Sequence, residues 1–356
     1  MARGPGPSPS GPRAVTRQLG EVTTTDFHTG GEPFRIVTGG VPQLEGRTVL
    51  ERRRWAAEHL DDVRHLLVDE PRGHADMYGC FVTEPNDDGA DLGVVFFHNE
   101  GYSTACGHGT IALVTWALEA GRVMAGPPGG ETTVTVDVPS GRLRCVARSG
   151  RGGRVEAVRF RNVPSWVLAL DVAVATARGP IEVDVAFGGA FYGSVDVRTV
   201  GLEVSAASLP ALIALQRELR PALDQALDVV HPDEPELRGI YGIVFWRPEP
   251  AVAGTSLSQR NVTVFADGEV DRSPCGSGTS ARLAILHARG ALATGDTLRH
   301  LGIVDSAFTG VVVGDGPLVG GHPSVVTEVE GSAFRTGEHR FVLDPSDPLG
   351  TGFLLR

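Results

Sequence analysis

The feature that most constrains this chain is a short cysteine motif that occurs twice. Residues 106–110 read Cys-Gly-His-Gly-Thr, and residues 275–279 read Cys-Gly-Ser-Gly-Thr. Each motif follows a polar turn and precedes an apolar, helix-like segment that stops at a glycine, Gly121 or Gly290, as many helices do. The match in turn, thiol and helix predicts two similar halves related by a pseudo-twofold repeat.

The position of the two cysteines also predicts chemistry. Both thiols are expected at or just before a helix N-terminus, where free N–H groups and the positive end of the helix dipole lie. Such a position lowers the pKa of a thiol and binds an anion. Two thiols on opposite faces of one substrate carbon could remove a proton from one side and return it to the other, which favours a racemase or an epimerase.

Composition argues against several other classes of function. The chain has 356 residues, 41% of them hydrophobic, so it is long enough for one large or two medium globular domains. Its net charge of −11 and the lack of a basic stripe disfavour nucleic-acid binding. It has no apolar run of roughly 18 residues and no signal-peptide pattern, so we expect a cytoplasmic protein without a membrane span. Its four cysteines are too few for a disulfide framework.

Lysine is absent from the sequence, so all 32 basic residues are arginine. A pyridoxal phosphate enzyme forms its Schiff base on a lysine amine, and a phosphate-binding P-loop also uses a lysine. Both classes are therefore excluded. The cysteines and histidines lack the spacing typical of metal ligands, so we expect neither a metal nor a cofactor.

The pattern along the chain predicts a strand-rich α/β (α+β) fold. Short runs of β-type residues recur between 47 glycines and 24 prolines, and only residues 51–68 and 205–227 have the composition of longer helices. The predicted organisation is a disordered tail (1–17), a first α/β half (18–180) completed by the C-terminal segment (345–356), and a second α/β half (181–344).

Four stretches of the sequence resemble signatures of the proline racemase family. They are Asp-Phe-His-Thr-Gly-Gly-Glu-Pro (26–33), Pro-Arg-Gly-His-Ala-Asp-Met-Tyr-Gly (71–79), Gly-Gly-Ala-Phe-Tyr (188–192) and Asp-Arg-Ser-Pro-Cys-Gly-Ser-Gly-Thr (271–279). The family contains proline racemases, 4-hydroxyproline 2-epimerases and trans-3-hydroxyproline dehydratases. The resemblance extends from about Glu21 to the C-terminus and implies a diaminopimelate-epimerase-like fold, with the active site in the cleft between two pseudo-symmetric halves.

The resemblance also implies roles for individual residues in a cofactor-independent, two-base reaction. Cys106 and Cys275 correspond to the acid/base pair, and Asp271 to the residue that holds the ring nitrogen of the substrate. The carboxylate of the substrate would be bound mainly by backbone N–H groups at Gly107, His108, Gly276 and Ser277. The implied partner is a small molecule, proline or hydroxyproline, and the candidate assembly is a homodimer.

Cys275 is the main discriminator of reaction type, because the dehydratases of this family carry threonine at the second cysteine. A cysteine there favours inversion of the α-carbon by an isomerase, with 4-hydroxyproline 2-epimerase or proline racemase as the first hypothesis. However, residues 98–104 and Tyr241 resemble the dehydratase branch, and the Tyr241 hydroxyl could either meet a ring hydroxyl or simply pack. A trans-3-hydroxy-L-proline dehydratase with Cys106 as its base and a non-catalytic imino-acid-binding protein therefore remain alternatives.

The other two cysteines have a different setting. Cys80 and Cys145 lie in apolar, strand-like surroundings, and neither is followed by the Gly-X-Gly-Thr sequence of the repeated motif. Free cysteine is among the residues most often buried in protein cores. We therefore predict that both thiols belong to the core.

Overall fold

The structure is a computed structural model that describes residues 20–355. The predicted disordered tail (1–17) lies outside these residues. The first part of the chain contains eight strands and three helices, namely β1 (Val22–Thr29), β2 (Glu32–Gly39), α1 (Val49–His59), α2 (Asp61–Val68), β3 (Tyr78–Thr83), β4 (Leu92–His98), β5 (Gly101–Tyr102), α3 (Gly107–Glu119), β6 (Glu131–Val138), β7 (Gly141–Ser149) and β8 (Val155–Arg161).

The remainder of the described chain contains ten strands and two α-helices. They are β9 (Ser165–Thr176), β10 (Gly179–Phe187), β11 (Phe191–Asp196), α4 (Leu209–Ala226), β12 (Ile240–Pro248), β13 (Leu257–Phe265), β14 (Glu269–Asp271), α5 (Gly276–Ala288), β15 (Thr297–Leu301), β16 (Ala307–Asp315), β17 (Ser324–Gly331) and β18 (Ala333–Phe341). Two short 3₁₀ turns, Val197–Val200 and Ala206–Ser208, precede α4.

Strand pairing divides the molecule into two groups of strands. The first group pairs in the order β18-β1-β2-β3-β4-β6-β7-β8. The second pairs in the order β9-β10-β11-β12-β13-β15-β16-β17, and it closes on itself because β17 also pairs with β9. A pairing of β17 with β8 joins the two groups.

The same connection occurs once in each group. In the first, β4 leads through the short antiparallel strand β5 to Cys106 and α3, and the chain returns as β6, parallel to β4. In the second, β13 leads through β14 to Cys275 and α5, and the chain returns as β15, parallel to β13. The predicted repeat of turn, thiol and helix is therefore present in the fold.

The helices that follow the cysteines are the centres of the two halves. Twelve consecutive residues of α3, from Gly107 to Leu118, are buried, as are eleven of α5, from Gly276 to Leu286. Because a helix that is buried on all sides must be surrounded by other elements, the strands wrap around it. Each thiol is thereby held at the end of a rigid central helix.

The boundaries differ from the prediction in three places. The predicted helix 51–68 is two helices that meet at Leu60. Strand β18 also belongs to the first half, because it pairs with β1 along its whole length; the predicted C-terminal segment contacts the same half, where Phe353 pairs with Glu70. Strand β9 pairs with β10 and so lies in the second half, although it precedes residue 181. No helix of the described chain is both long and apolar enough to cross a membrane.

Candidate active site

The N-termini of the two central helices meet between the halves. Cys106 is the N-cap residue of α3, and Cys275 is the N-cap residue of α5. A Cβ atom built on Gly107 would lie 2.4 Å from the Cα atom of Gly276. Since a side chain at either glycine would separate the helices, the glycine after each cysteine is what allows this contact. The free N–H groups of both helix ends consequently lie in one small region.

Cys106 is buried beside a histidine that stays neutral. Its Sγ atom accepts a hydrogen bond from the Gly109 amide at 3.3 Å and lies 3.5 Å from Nε2 of His108. The His108 ring packs edge-on against Phe34 and Tyr78, at centroid distances of 5.7 and 5.0 Å. Burial lowers the pKa of His108 to about 3, so this imidazole adds no charge to the site at neutral pH.

Cys275 is held in an unusual backbone conformation. Its φ angle is 61°, in the left-handed region that residues with side chains rarely adopt and that often marks functional sites. The Sγ atom lies 3.9 Å from the hydroxyl of Tyr192, which forms a 2.7 Å hydrogen bond with Oγ of Ser277. The thiol is therefore oriented by the backbone and faces a hydroxyl group.

Burial is the largest influence on the pKa values of the two thiols. Burial raises the pKa of Cys106 well above its usual range, and the charges of Asp271 and Cys275 add to this effect. It raises the pKa of Cys275 to about 12. The amides of Gly109 and Gly278 act in the opposite direction without cancelling the effect of burial. The sequence-based expectation of lowered thiol pKa values was therefore wrong, because it considered the helix ends without the loss of water around them.

Asp271 is a buried carboxylate between the helix ends. It is 3% exposed, accepts a hydrogen bond from the Ser273 amide at 2.8 Å, and has its Oδ2 atom 3.8 Å from Nδ1 of His108. Burial raises its pKa to about 6. The fully buried Glu32 accepts from the Arg272 amide at 2.8 Å, and burial together with the Asp271 charge raises the Glu32 pKa. The two side chains are therefore a pair of buried carboxyl groups whose pKa values are both raised.

Three hydroxyl groups form a hydrogen-bonded cluster next to Cys106. The hydroxyl of Tyr78 lies 2.8 Å from that of Tyr241 and donates to Oγ of Ser103 at 2.5 Å. We call Ser103, Tyr78 and Tyr241 the hydroxyl cluster. Burial raises the pKa of both tyrosines well above the usual value, so these hydroxyls remain protonated and can donate hydrogen bonds.

A cavity between the two halves reaches the hydroxyl cluster. It has a volume of about 130 Å³, and its lining includes Ser103, Thr104, Ala190 and Tyr241. The cavity thus reaches Ser103 and Tyr241 of the cluster, whereas Cys106, Cys275 and Asp271 are not part of its lining.

The structure brings every predicted site residue into this region. They are Cys106, Gly107, His108, Tyr241, Asp271, Cys275, Gly276 and Ser277. Cys80 and Cys145 are fully buried in the core, as predicted. Sequence reasoning missed Tyr78, Tyr192 and Ser103 as site residues, although all three lie within stretches that it had quoted. Among residues 20–355, no group of three or more acidic, histidine or cysteine side chains could hold a metal ion.

Comparison with known proteins identifies the family. The family model described as proline racemase matches residues 24–354. The chain belongs to the proline racemase family. Members act on small imino acids, so the protein is an enzyme of that family, as the sequence predicted.

Two relatives with similar sequences are named for reactions of 3-hydroxyproline. The trans-3-hydroxy-L-proline dehydratase of Bacillus cereus is 46% identical over 333 residues, which cover 94% of this chain and 98% of the relative. The 3-hydroxyproline 2-epimerase of Burkholderia multivorans is 47% identical over 343 residues, which cover 96% of this chain and 99% of the relative. This chain is therefore similar to enzymes named for two different reactions of one substrate class.

Solved structures agree with the predicted fold class. A hydroxyproline epimerase from Agrobacterium vitis, solved with bound trans-4-hydroxy-L-proline, has a TM-score of 0.86 and 34% identity, covering 95% of this chain and 96% of that one. A PhzF-family protein from Bacillus anthracis has a TM-score of 0.53 at 12% identity, covering 91% and 99%, and shares the fold alone. The expected proline racemase fold of two similar α/β halves is confirmed.

Proposed function

We propose that this enzyme removes water from trans-3-hydroxy-L-proline, with Cys106 as the base that takes the α-proton. The observation that carries the proposal is the similarity, at 46% identity over almost the whole chain, to the named dehydratase of Bacillus cereus. A relative from Azospirillum brasilense with the same name is also 46% identical. These relatives favour a hydroxyl at ring position 3 over the 4-hydroxyproline that the sequence first suggested.

The helix ends and Asp271 suit the two charged groups of an imino acid. A carboxylate would accept hydrogen bonds from the free N–H groups at Gly107, His108, Gly276 and Ser277, with support from both helix dipoles. The Asp271 carboxylate would hold the ring ammonium group next to the α-carbon. Together these contacts stabilise the negative charge that develops at the α-carbon when its proton leaves.

A buried thiolate is a suitable base for this weakly acidic proton. The Cys106 thiolate takes the α-proton, the C–H electron pair becomes the C2–C3 double bond, and the C3–O bond breaks. The departing oxygen takes a proton and leaves as water. The enamine product then tautomerises to 1-pyrroline-2-carboxylate. Because burial raises the pKa of Cys106, its thiolate is a stronger base than an exposed one.

The position of the hydroxyl cluster on the Cys106 side supports this reaction. In trans-3-hydroxy-L-proline the hydroxyl and the carboxylate are on opposite faces of the ring, so the hydroxyl and the α-proton share a face. A base on that face has the departing hydroxyl beside it. Tyr78 and Ser103 lie on the Cys106 side of the site, whereas Tyr192 lies beside Cys275.

A second candidate, 2-epimerisation of 3-hydroxyproline, is supported by one observation. Cys275 occupies the N-cap position of the opposing helix, and its thiol is close enough to raise the pKa of Cys106 by its charge. A thiol there could return a proton to the α-carbon from the opposite face. Both candidate reactions pass through the same carbanion, which either expels the hydroxyl or is protonated by Cys275.

A substrate screen tests the proposal. Purified enzyme is incubated separately with proline, with trans-3-hydroxy-L-proline and with trans-4-hydroxy-L-proline, and products are resolved by chiral chromatography. We expect 1-pyrroline-2-carboxylate from the 3-hydroxylated substrate at the highest kcat/KM. Formation of its 2-epimer alone would favour the second candidate. Turnover of no substrate, together with thiols that pyrrole-2-carboxylate does not protect from iodoacetamide, would favour the non-catalytic alternative.

A further inference from the structure

The strand that carries Asp271 is bonded differently along its two edges. Along one edge β14 pairs with β13, where Asp271 lies opposite Thr263. The backbone N–H groups of a strand point alternately to its two edges, so the amides of Val270 and Arg272 leave the other edge together. The acceptors for these two amides come from the first half of the molecule.

Two acidic side chains of the first half accept these hydrogen bonds. Oδ1 of Asp76 accepts from the Val270 amide at 3.0 Å, and Oε2 of Glu32 accepts from the Arg272 amide at 2.8 Å. Both acidic side chains are buried, so little water competes for the amides. The backbone immediately before and immediately after Asp271 is therefore held by side chains of the opposite half.

The guanidinium group of Arg272 lies between the same two acidic side chains. Its Nη1 atom is 3.3 Å from Oε2 of Glu32, and its Nη2 atom is 3.3 Å from Oδ2 of Asp76. A planar guanidinium can bond two acidic groups at once and fix their orientation. Its positive charge also offsets part of the cost of burying them beside Asp271.

Further contacts between the halves flank this arrangement. In the turn between β1 and β2, the carbonyl oxygen of Gly30 accepts from Oγ of Ser306 at 2.7 Å. A Cβ atom on Gly30 would lie 3.2 Å from Cβ of Ser273, so this turn packs against the turn that follows β14. At the start of β14, Oε2 of Glu269 lies 3.2 Å from Nδ1 of His98. The first half therefore contacts β14 from its start to the turn after it.

We propose that Glu32 and Asp76 are positioning residues for the ammonium group of the substrate, because they hold the Asp271 carboxylate in place from the opposite half. This inference rests on the proposed function, in which Asp271 binds the ring nitrogen. Each residue acts on the backbone next to Asp271 rather than on the substrate. The ammonium site is thus complete only when the first half is joined to β14.

The test compares two ligands that differ only at the ring nitrogen. L-proline carries a ring ammonium group, whereas (S)-tetrahydrofuran-2-carboxylate has the same carboxylate and a neutral ring oxygen in place of nitrogen. Isothermal titration calorimetry gives the Kd of each ligand. We define the ammonium preference as the Kd of the oxygen analogue divided by the Kd of L-proline, so loss of general folding or of carboxylate binding leaves this ratio unchanged.

Two variants of Glu32 should differ in this ratio. Glu32→Ala leaves the Arg272 amide without its acceptor, so the backbone beside Asp271 can move. We expect the ammonium preference to fall by about tenfold or more, as loss of a hydrogen bond to a charged group typically causes. Glu32→Gln keeps an oxygen that can accept from the same amide, so its preference should stay within about threefold of wild type.

Asp76 provides a second pair of variants, which also covers a failure of Glu32→Ala to fold. The φ angle of Asp76 is 65°, which both glycine and asparagine tolerate. Asp76→Gly removes the acceptor of the Val270 amide without straining the backbone, so the ammonium preference should again fall by about tenfold or more. Asp76→Asn keeps an acceptor and should stay close to wild type.

Asp137→Ala is the matched control. Asp137 is also fully buried, accepts from the Asn86 amide at 2.8 Å and pairs with Arg142 at 2.7 Å, but all three residues belong to the first half. The variant should lower the melting temperature and leave the ammonium preference unchanged. An equal loss of preference in Asp137→Ala, or a wild-type preference in folded Glu32→Ala and Asp76→Gly, would overturn the inference.

Asp271→Asn distinguishes this inference from the proposed function. If Asp271→Asn loses the ammonium preference while Glu32→Ala and Asp76→Gly keep it, only the positioning role is wrong. If Asp271→Asn keeps the preference, Asp271 does not bind the ammonium group, and the inference fails with that assignment. Because binding is measured without reference to any product, a failure of the proposed dehydration would appear in the substrate screen alone.

Discussion

The Cα atoms of Gly107 and Gly276 are in contact across the boundary between the two halves. A Cβ atom on either glycine would come within 2.4 to 2.6 Å of the other residue's Cα atom, and the ring of Phe160 closes the space on a further side. This contact sets how closely the two helix N-termini converge. It therefore also sets the distance between the two cysteines that cap them.

Replacing Gly107 with alanine tests the importance of this contact. The added methyl group must push the helix ends apart, so we expect a loss of stability of about 1–3 kcal/mol and a loss of kcat/KM of about 100-fold or more, as misplaced reacting groups typically cause. Thermal unfolding and steady-state kinetics measure the two effects. Gly152→Ala is the matched control, since a Cβ atom there meets no atom within 4 Å. Equal kinetics for the two variants would contradict the expectation.

Removal of each of the two thiols should affect a different activity of the enzyme. Cys106→Ala should abolish both dehydration and deuterium exchange at C2, because it removes the base. Cys275→Thr should abolish any 2-epimerisation while dehydration continues. Chiral chromatography of the products measures each activity. Cys145→Ala, at a fully buried thiol of the core, should lower the melting temperature and leave kcat/KM close to wild type. Survival of inversion in Cys275→Thr would show that the roles are assigned wrongly.

The activity should rise with pH in two stages. Asp271 must be ionised to hold the ammonium group, and burial raises its pKa to about 6, so kcat/KM falls as pH drops through that value and Asp271 is protonated. The Cys106 thiolate becomes more populated as pH rises, because burial raises the thiol pKa as well. On a plot of the logarithm of kcat/KM against pH, the slope should therefore change from about two below pH 6 to about one above it. A profile without a change of slope near pH 6 would argue against this role of Asp271.

Tyr241→Phe tests the part of the hydroxyl cluster that faces the ring. The variant keeps the aromatic packing but loses the hydroxyl bonded to Tyr78. The preference for 3-hydroxyproline over proline is the ratio of the two kcat/KM values. We expect this ratio to fall by about tenfold or more, because one hydrogen bond to the substrate hydroxyl is lost. Tyr102→Phe is the control, because its hydroxyl donates to the Ala56 carbonyl oxygen elsewhere. An unchanged ratio for Tyr241→Phe would assign that residue to packing alone.

The repeat and the grouping of site residues could be predicted because they depend on local patterns. Each repeat is a short segment that contains the turn, the cysteine, the glycines and the glycine that ends the following helix. The two segments are those around Cys106 and Cys275. Strand β18 could not be predicted, since its sequence is mostly polar and exposed. What holds it is backbone pairing with β1, some three hundred residues earlier in the chain.

The chemistry of the site was less predictable than its location. The helix N-termini pointed to lowered thiol pKa values, but the pKa depends on how much water the surrounding strands exclude, which no local pattern reveals. The pairing of His98 with Glu269 likewise joins the two halves of the fold. Sequence similarity, rather than the cysteine pair, is what moved the expected substrate from 4-hydroxyproline to 3-hydroxyproline.

The most direct test of the account is the reaction of trans-3-hydroxy-L-proline with wild-type enzyme, followed by proton NMR. We predict formation of 1-pyrroline-2-carboxylate, with complete loss of that activity in a folded Cys106→Ala variant. Failure to consume trans-3-hydroxy-L-proline, with ready inversion of trans-4-hydroxy-L-proline under the same conditions, would contradict it.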